Sequence, residues 1–166
     1  MTTNSESKVL ILTRELRAPI ELVFKVWSEA EHLKHWWGPK GFDIDVKGLD
    51  FRPGGYFHYS MSAPDGSKMW GKFNYLEIKP SEKIVWLNSF SDEAGNLVRA
   101  PFSDLIPLQI RNEVTFAEQN GVTTLNLHSS AFNANEEERS FYEGMFESME
   151  QGWGGTFEQL EQYVAR

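Results

Sequence analysis

An α+β architecture, in which a curved antiparallel sheet of about seven strands wraps against one long C-terminal helix, is what this sequence predicts. Three observations carry it. The middle of the chain, Phe42 to Ser129, alternates apolar and polar residues with period two in successive short runs. The last third switches to an apolar stripe at spacings of three and four: Phe146, Met149, Trp153, Phe157, Leu160 and Val164. Two short segments of helical period separate the first strand from the rest, so helices and strands are segregated rather than alternating.

Each element has its own signal. The first seven residues, MTTNSES, are small and polar with nothing to bury and read as a disordered tail, leaving 8–166 as a single domain. Val9 to Leu16 is rich in Val, Ile, Leu and Thr and reads as a strand that ends at Arg17-Ala18-Pro19. Pro19 suits a first helical position, and Ile20, Val23, Phe24 and Trp27 continue an amphipathic helix of about two and a half turns. Ser28 is placed to cap a second short helix, Ala30 to Trp37, which Gly38-Pro39 stops. Phe42, Ile44 and Val46 alternate with charged residues as a half-buried strand. After Gly54-Gly55, Phe57, Tyr59 and Met61 alternate up to the Ala63-Pro64-Asp65-Gly66 turn, and Lys68 to Ile78 supplies the hairpin partner. Ile84 to Phe90 is the next strand. Leu97 to Pro107, with two prolines and mixed polarity, reads as an irregular connection lying over an opening. Ile110 to Phe116 and Val122 to Ser129 form a last hairpin around Glu118 to Gly121.

For the C-terminal helix, Asn133 or Asn135 can serve as cap, and Glu136 to Glu138 suit the positive end of its dipole. Gly152, Gly154 and Gly155 interrupt the stripe, which implies a kink or a close approach to the sheet. A helix of roughly 40 Å, at 1.5 Å per residue, cannot fill a curved sheet to its centre with one apolar stripe. A cavity between sheet and helix follows.

Composition narrows function. The chain has 166 residues, a net charge of −8, no cysteine and 23 aromatic residues, six of them tryptophan. Disulfides and thiolate metal sites are excluded. The acidic balance argues against nucleic acid or an anionic membrane surface as a partner. The cysteine count, with neither a leader-like start nor a long apolar run, leads to the expectation of a cytoplasmic protein. A nucleophile elbow, a phosphate-binding loop and a dinucleotide-binding turn are missing, so no cofactor is expected, and Gly152-x-Gly154-Gly155 lies in a helical stripe rather than after a strand.

The segment Arg14 to Pro19, Val23-Phe24 with Trp27, the block His35-Trp36-Trp37-Gly38-Pro39, the turns Pro53-Gly54-Gly55 and Pro64-Asp65-Gly66, and Gln151-Gly152-Trp153-Gly154 together resemble one family. It comprises the bacterial proteins similar to the C-terminal domain of the heat-shock-protein-90 ATPase activator, within the START-like, or SRPBCC, superfamily. The resemblance runs from Lys8 to Val164. It implies a helix-grip fold with a hydrophobic cavity, and monomers or homodimers. Its relatives include lipid and polyketide carriers, cyclases, hydrolases, self-sacrificing resistance proteins and chaperone partners, so fold alone does not fix chemistry.

Candidate site residues follow from the inner face. Phe57, Tyr59, Trp70, Trp86, Met145, Met149 and Trp153 are placed to line a pocket for a planar or lipid-like ligand, since aromatic rings offer large area and Met adapts to irregular shapes. Asn88 and Arg14 are candidate polar anchors. Among possible acid–base groups, Glu15, Glu113, His58 and His128 lie on strands, and alternation turns His58 away from Phe57 and Tyr59. Trp36-Trp37 reads as packing under the sheet rim. His32 and His35 share a helical face, but no third ligand follows at a recognisable spacing, so no metal is expected. The expectation is a protein that binds a small hydrophobic or aromatic molecule. A chaperone-binding module, or a cyclase or hydrolase acting on a polyketide-like substrate, is the alternative.

Overall fold

The computed structural model describes residues 8–101 and 103–165. The expected tail at residues 1–7 lies outside that range. In chain order the elements are β1 (Leu10–Leu16), α1 (Ile20–Ser28), α2 (Ala30–Trp36), β2 (Asp43–Asp50), β3 (Tyr56–Ser62), β4 (Lys68–Lys79), β5 (Lys83–Ser91), β6 (Leu97–Val98), β7 (Gln109–Gln119), β8 (Val122–Phe132), α3 (Glu136–Gly144) and α4 (Phe146–Val164). The sheet is antiparallel in the order β1-β8-β7-β5-β4-β3-β2, with β6 attached to the far end of β5. This is the α+β arrangement that the patterning predicts, and the helix-grip fold that the family resemblance implies.

Local chemistry explains the boundaries. Pro19 is the N-cap rather than the first turn of α1. Ser28 does not cap α2: its hydroxyl donates back to the Lys25 carbonyl inside α1, and Glu29 is the N-cap instead. Asn135 caps α3, with the Asn135 side chain accepting from the Glu138 N–H and the Glu138 carboxylate accepting from the Asn135 N–H. The predicted single C-terminal helix is two helices, because the chain turns at Met145, whose N–H reaches the Tyr142 and Glu143 carbonyls. α4 alone spans 19 residues, about 28 Å at 1.5 Å per residue. The strand expected to end at Ser129 continues to Phe132.

The core is an aromatic cluster packed by α1 and α2 against the sheet. Trp27 meets Trp36 at 4.7 Å and Trp86 at 5.7 Å between ring centres, and Trp86 stacks on Phe73 at 4.6 Å. α4 is tied to the end of α2 by Thr156 and Gln159, which donate to the Gly38 carbonyl at 3.0 and 2.8 Å. Gly38 has φ +97, and a Cβ there would lie 2.6 Å from the Ile44 side chain, so only glycine allows this anchor. The glycines of α4 behave differently: a Cβ at Gly152 or Gly154 would meet nothing within 4 Å. The expected close approach to the sheet is not their reason.

Candidate functional site

A division in the sheet creates the site. β5 pairs with β7 from Lys83 as far as Asn88, then with β6 at Phe90 and Ser91. Beyond Asn88 its neighbour on that side is no longer β7, and the connection that carries Ile106 and Pro107 runs past the gap. A cavity of about 300 Å³ lies there, between the inner face of β3, β4, β5, β7 and β8 and the residues Tyr142, Met145, Met149 and Trp153 of the C-terminal helices. The irregular connection over an opening, read from the two prolines, is therefore present, with β6 as its one strand among the described residues.

Helical geometry brings the C-terminal residues together. Met145, Met149 and Trp153 are spaced by four and stand on one side of the helix start. Trp153 is held by Trp37 and Phe157, with ring centres at 5.4 and 5.3 Å. From the sheet come Tyr59 and Met61, and the bare backbone of Gly71 makes room for Tyr59. A Cβ at Gly71 would sit 2.5 Å from the Tyr59 phenol.

Five of the eight predicted lining residues reach the cavity: Tyr59, Asn88, Met145, Met149 and Trp153. Three do not. Phe57 lies on the correct face but one pleat deeper, fully buried between Tyr59 and Phe73. Trp86 is likewise inward, but it fills the core against Phe73 and Trp27. Trp70 points the other way, because its partner Ser60 and its neighbour Lys72 lie on the outer face. There its ring meets His58 at 5.3 Å, beneath the ammonium groups of Lys47 and Lys68.

The other candidates are accounted for by their partners. His58 faces outward but is buried, with its Nε2 3.1 Å from the Asp92 carbonyl. Arg14 is on the inner face at the opposite end of α4, where it donates to Glu161 at 3.1 Å rather than entering the cavity. Glu15 and His128 are exposed, and Glu113 pairs with Arg111. His32 is 2.7 Å from the Tyr163 hydroxyl and His35 stacks on the same ring, so this pair docks α2 on α4. Trp36 and Trp37 are buried in the core, Trp36 donating to the Val26 carbonyl.

The polar groups of the cavity are few. Asn88 donates through its amide nitrogen to the Lys72 carbonyl at 3.3 Å and to the Tyr59 hydroxyl at 3.5 Å. Asn112 is 2% exposed and its carboxamide oxygen has no partner among the described residues. Ser129, directly opposite Asn112 across the β7–β8 pair, shares a hydrogen bond with the Tyr142 hydroxyl. Burial pushes the Tyr59 phenol above its ordinary value, partly offset by the Asn88 hydrogen bond. Burial likewise pushes Tyr142 up to about 12, with Ser129 opposing. Both are neutral phenols at physiological pH. Among the described lining residues no carboxylate, imidazole, amine or guanidinium appears.

Asn112, Ser129 and Tyr142 were not singled out from sequence, although two carried a readable signal. Asn112 is in phase with Ile110, Val114 and Phe116, and Ser129 with Leu125 and Leu127. A polar residue on an apolar face is the mark of an internal polar contact. Tyr142 carried none, because the position of α3 depends on the turn at Met145.

Comparison with known proteins agrees with the geometry. The family model described as Activator of Hsp90 ATPase homolog 1-like protein matches residues 17–165. A solved protein from Mycobacterium smegmatis superposes with a TM-score of 0.75 at 25% identity, covering 96% of both chains. One from Nitrosomonas europaea gives 0.73 at 27%, covering 95% of this chain and 94% of its own. The AHSA1 protein from Silicibacter pomeroyi gives 0.68 at 21%, covering 95% and 98%, a likeness of fold. No functionally curated protein matches the sequence.

Proposed function

Since this chain belongs to the family of Activator of Hsp90 ATPase homolog 1-like proteins, we propose that it is a small-molecule-binding member, holding a compact apolar or aromatic molecule between its sheet and its C-terminal helices. The observation that carries this reading is the cavity itself, with Tyr59, Met61, Phe90, Met149 and Trp153 around it and a few neutral polar groups within. Apolar walls with a few placed polar groups are the usual make-up of ligand sites, and about 300 Å³ is at the small end of their range. That size favours a compact molecule over a long acyl chain. Methionines on the helix side let the wall adapt to shape.

Catalysis finds less support. The titratable side chains on the described lining are Tyr59 and Tyr142, both shifted away from neutrality by burial, so neither is poised to exchange a proton near pH 7. A cyclase or hydrolase role would need such a group. The family description favours a different second reading, a module that binds a chaperone ATPase. A bacterial chaperone of that class whose ATP turnover rises on addition of this protein, equally with wild type and a cavity-filled variant, would establish it.

The ligand reading is tested with the neutral fluorophore N-phenyl-1-naphthylamine. Wild type is expected to bind it saturably at one site per chain, and Met149→Trp, which fills the cavity, to lose that binding while keeping its fold by circular dichroism. Absence of saturable binding to wild type, together with no co-purifying small molecule in native mass spectrometry, would remove the reading.

A further inference from the structure

We propose that the cavity selects a neutral aromatic molecule bearing a hydroxyl group, and that Asn112 and the Ser129–Tyr142 pair form the polar subsite that recognises that hydroxyl. The inference rests on the small-molecule reading above and narrows its chemical class.

Hydrogen-bond counting carries it. Asn112 is fully enclosed, yet its carboxamide oxygen accepts from no group among the described residues. A buried acceptor without a donor forfeits its hydration with nothing in return, so a native fold that keeps one at a cavity wall has a use for it. The second carboxamide, Asn88, spends its N–H groups on the Lys72 carbonyl and the Tyr59 hydroxyl, so its oxygen is the atom left to offer. Ser129 on β8 and Tyr142 on α3 have two hydroxyl protons and share one hydrogen bond, which leaves one proton to donate. Asn112 and Ser129 are direct cross-strand partners, about 5 Å apart at Cβ in such pairs. One group can therefore meet both. It must donate to the Asn112 oxygen and accept from the spare hydroxyl proton, which is what an alcohol or phenol does.

Charge is excluded by the same wall. An ionised carboxylate or amine entering this site would lose its water and find no opposite charge on the described lining residues. The Tyr59 phenol already shows the penalty, being pushed upward chiefly by burial. The rest of the ligand meets rings and thioethers, Tyr59, Trp153, Met145 and Met149, which suit a flat aromatic body.

Three probes on one skeleton separate the terms: naphthalene, 2-naphthol and 2-naphthoate, each measured by equilibrium dialysis near neutral pH. On wild type, 2-naphthol is expected to bind about tenfold more tightly than naphthalene, and 2-naphthoate more weakly than either. In Asn112→Leu, similar in size but without the acceptor, naphthalene should bind at least as well as 2-naphthol, and Ser129→Ala should narrow the same gap. Equal affinity of wild type for naphthalene and 2-naphthol would overturn the hydroxyl subsite while leaving a ligand cavity in place. Tightest binding of 2-naphthoate would overturn the neutrality. Failure of all three to bind wild type would overturn this inference, while the cavity reading stands or falls with N-phenyl-1-naphthylamine and native mass spectrometry.

Discussion

Glu138 binds two parts of the molecule with one carboxylate. One oxygen accepts from the Asn135 N–H at the start of α3 and the other from Arg99, which also donates to the Ile106 carbonyl at 3.2 Å. Ile106 lines the cavity, so this capping box also fixes the connection beside the site. The Asn135 hydrogen bond, and then Arg99, hold the Glu138 carboxyl below its ordinary value. A lowered folded value means that the stabilisation is complete above the ordinary carboxylate pKa and is lost as pH falls through the folded one. Glu138→Ala is therefore expected to cost about 1 kcal/mol in urea unfolding near neutral pH, and the difference from wild type should shrink below about pH 4. A penalty independent of pH would show that the charged carboxylate is not its source.

Elements were more legible than their depth. Period two located the sheet and assigned faces correctly to Phe57, Tyr59 and Trp86, because alternation is a local property of the strand. It does not say how far along a strand the core stops, which is set by where α1, α2 and Trp153 press on the sheet. Hence Tyr59 reaches the cavity while Phe57, two residues away, is sealed in the core. Trp70 failed for another reason: Lys68 to Ile78 mixes residue types so evenly that its phase was not fixed, and one step reverses the face. The helical stripe located α4, but the turn at Met145 was invisible, since it preserves the spacing of four from Met145 to Met149. The glycines of α4 offer a direct check. Gly152 is exposed, helical and free of any neighbour that a Cβ would strike, so Gly152→Ala should raise stability by up to about 1 kcal/mol. An unchanged or lower urea midpoint would show that α4 needs a backbone freedom that alanine denies.

At the scale of the whole molecule, three phenols are buried: Tyr59, Tyr75 and Tyr142, each pushed upward by burial. Raised folded values make the neutral forms stabilising below the ordinary phenol pKa, about 10, and that stabilisation drains away as pH climbs through the folded values. The melting temperature should therefore fall between about pH 10 and pH 12, with a shallower slope in Tyr142→Phe. Identical slopes would exclude Tyr142 as a contributor. The packed tryptophan cluster and the cavity adjoin on one face of the sheet. Residues of the packed core, Trp27, Trp36, Phe73 and Trp86, are distinct from those that line the cavity, Met61, Asn112, Met145 and Met149. Descendants of such a chain can drift around the cavity while the packed cluster holds the architecture constant. Chains that share only about a quarter of their residues with this one and still superpose along nearly their whole length are what that division of labour would leave behind.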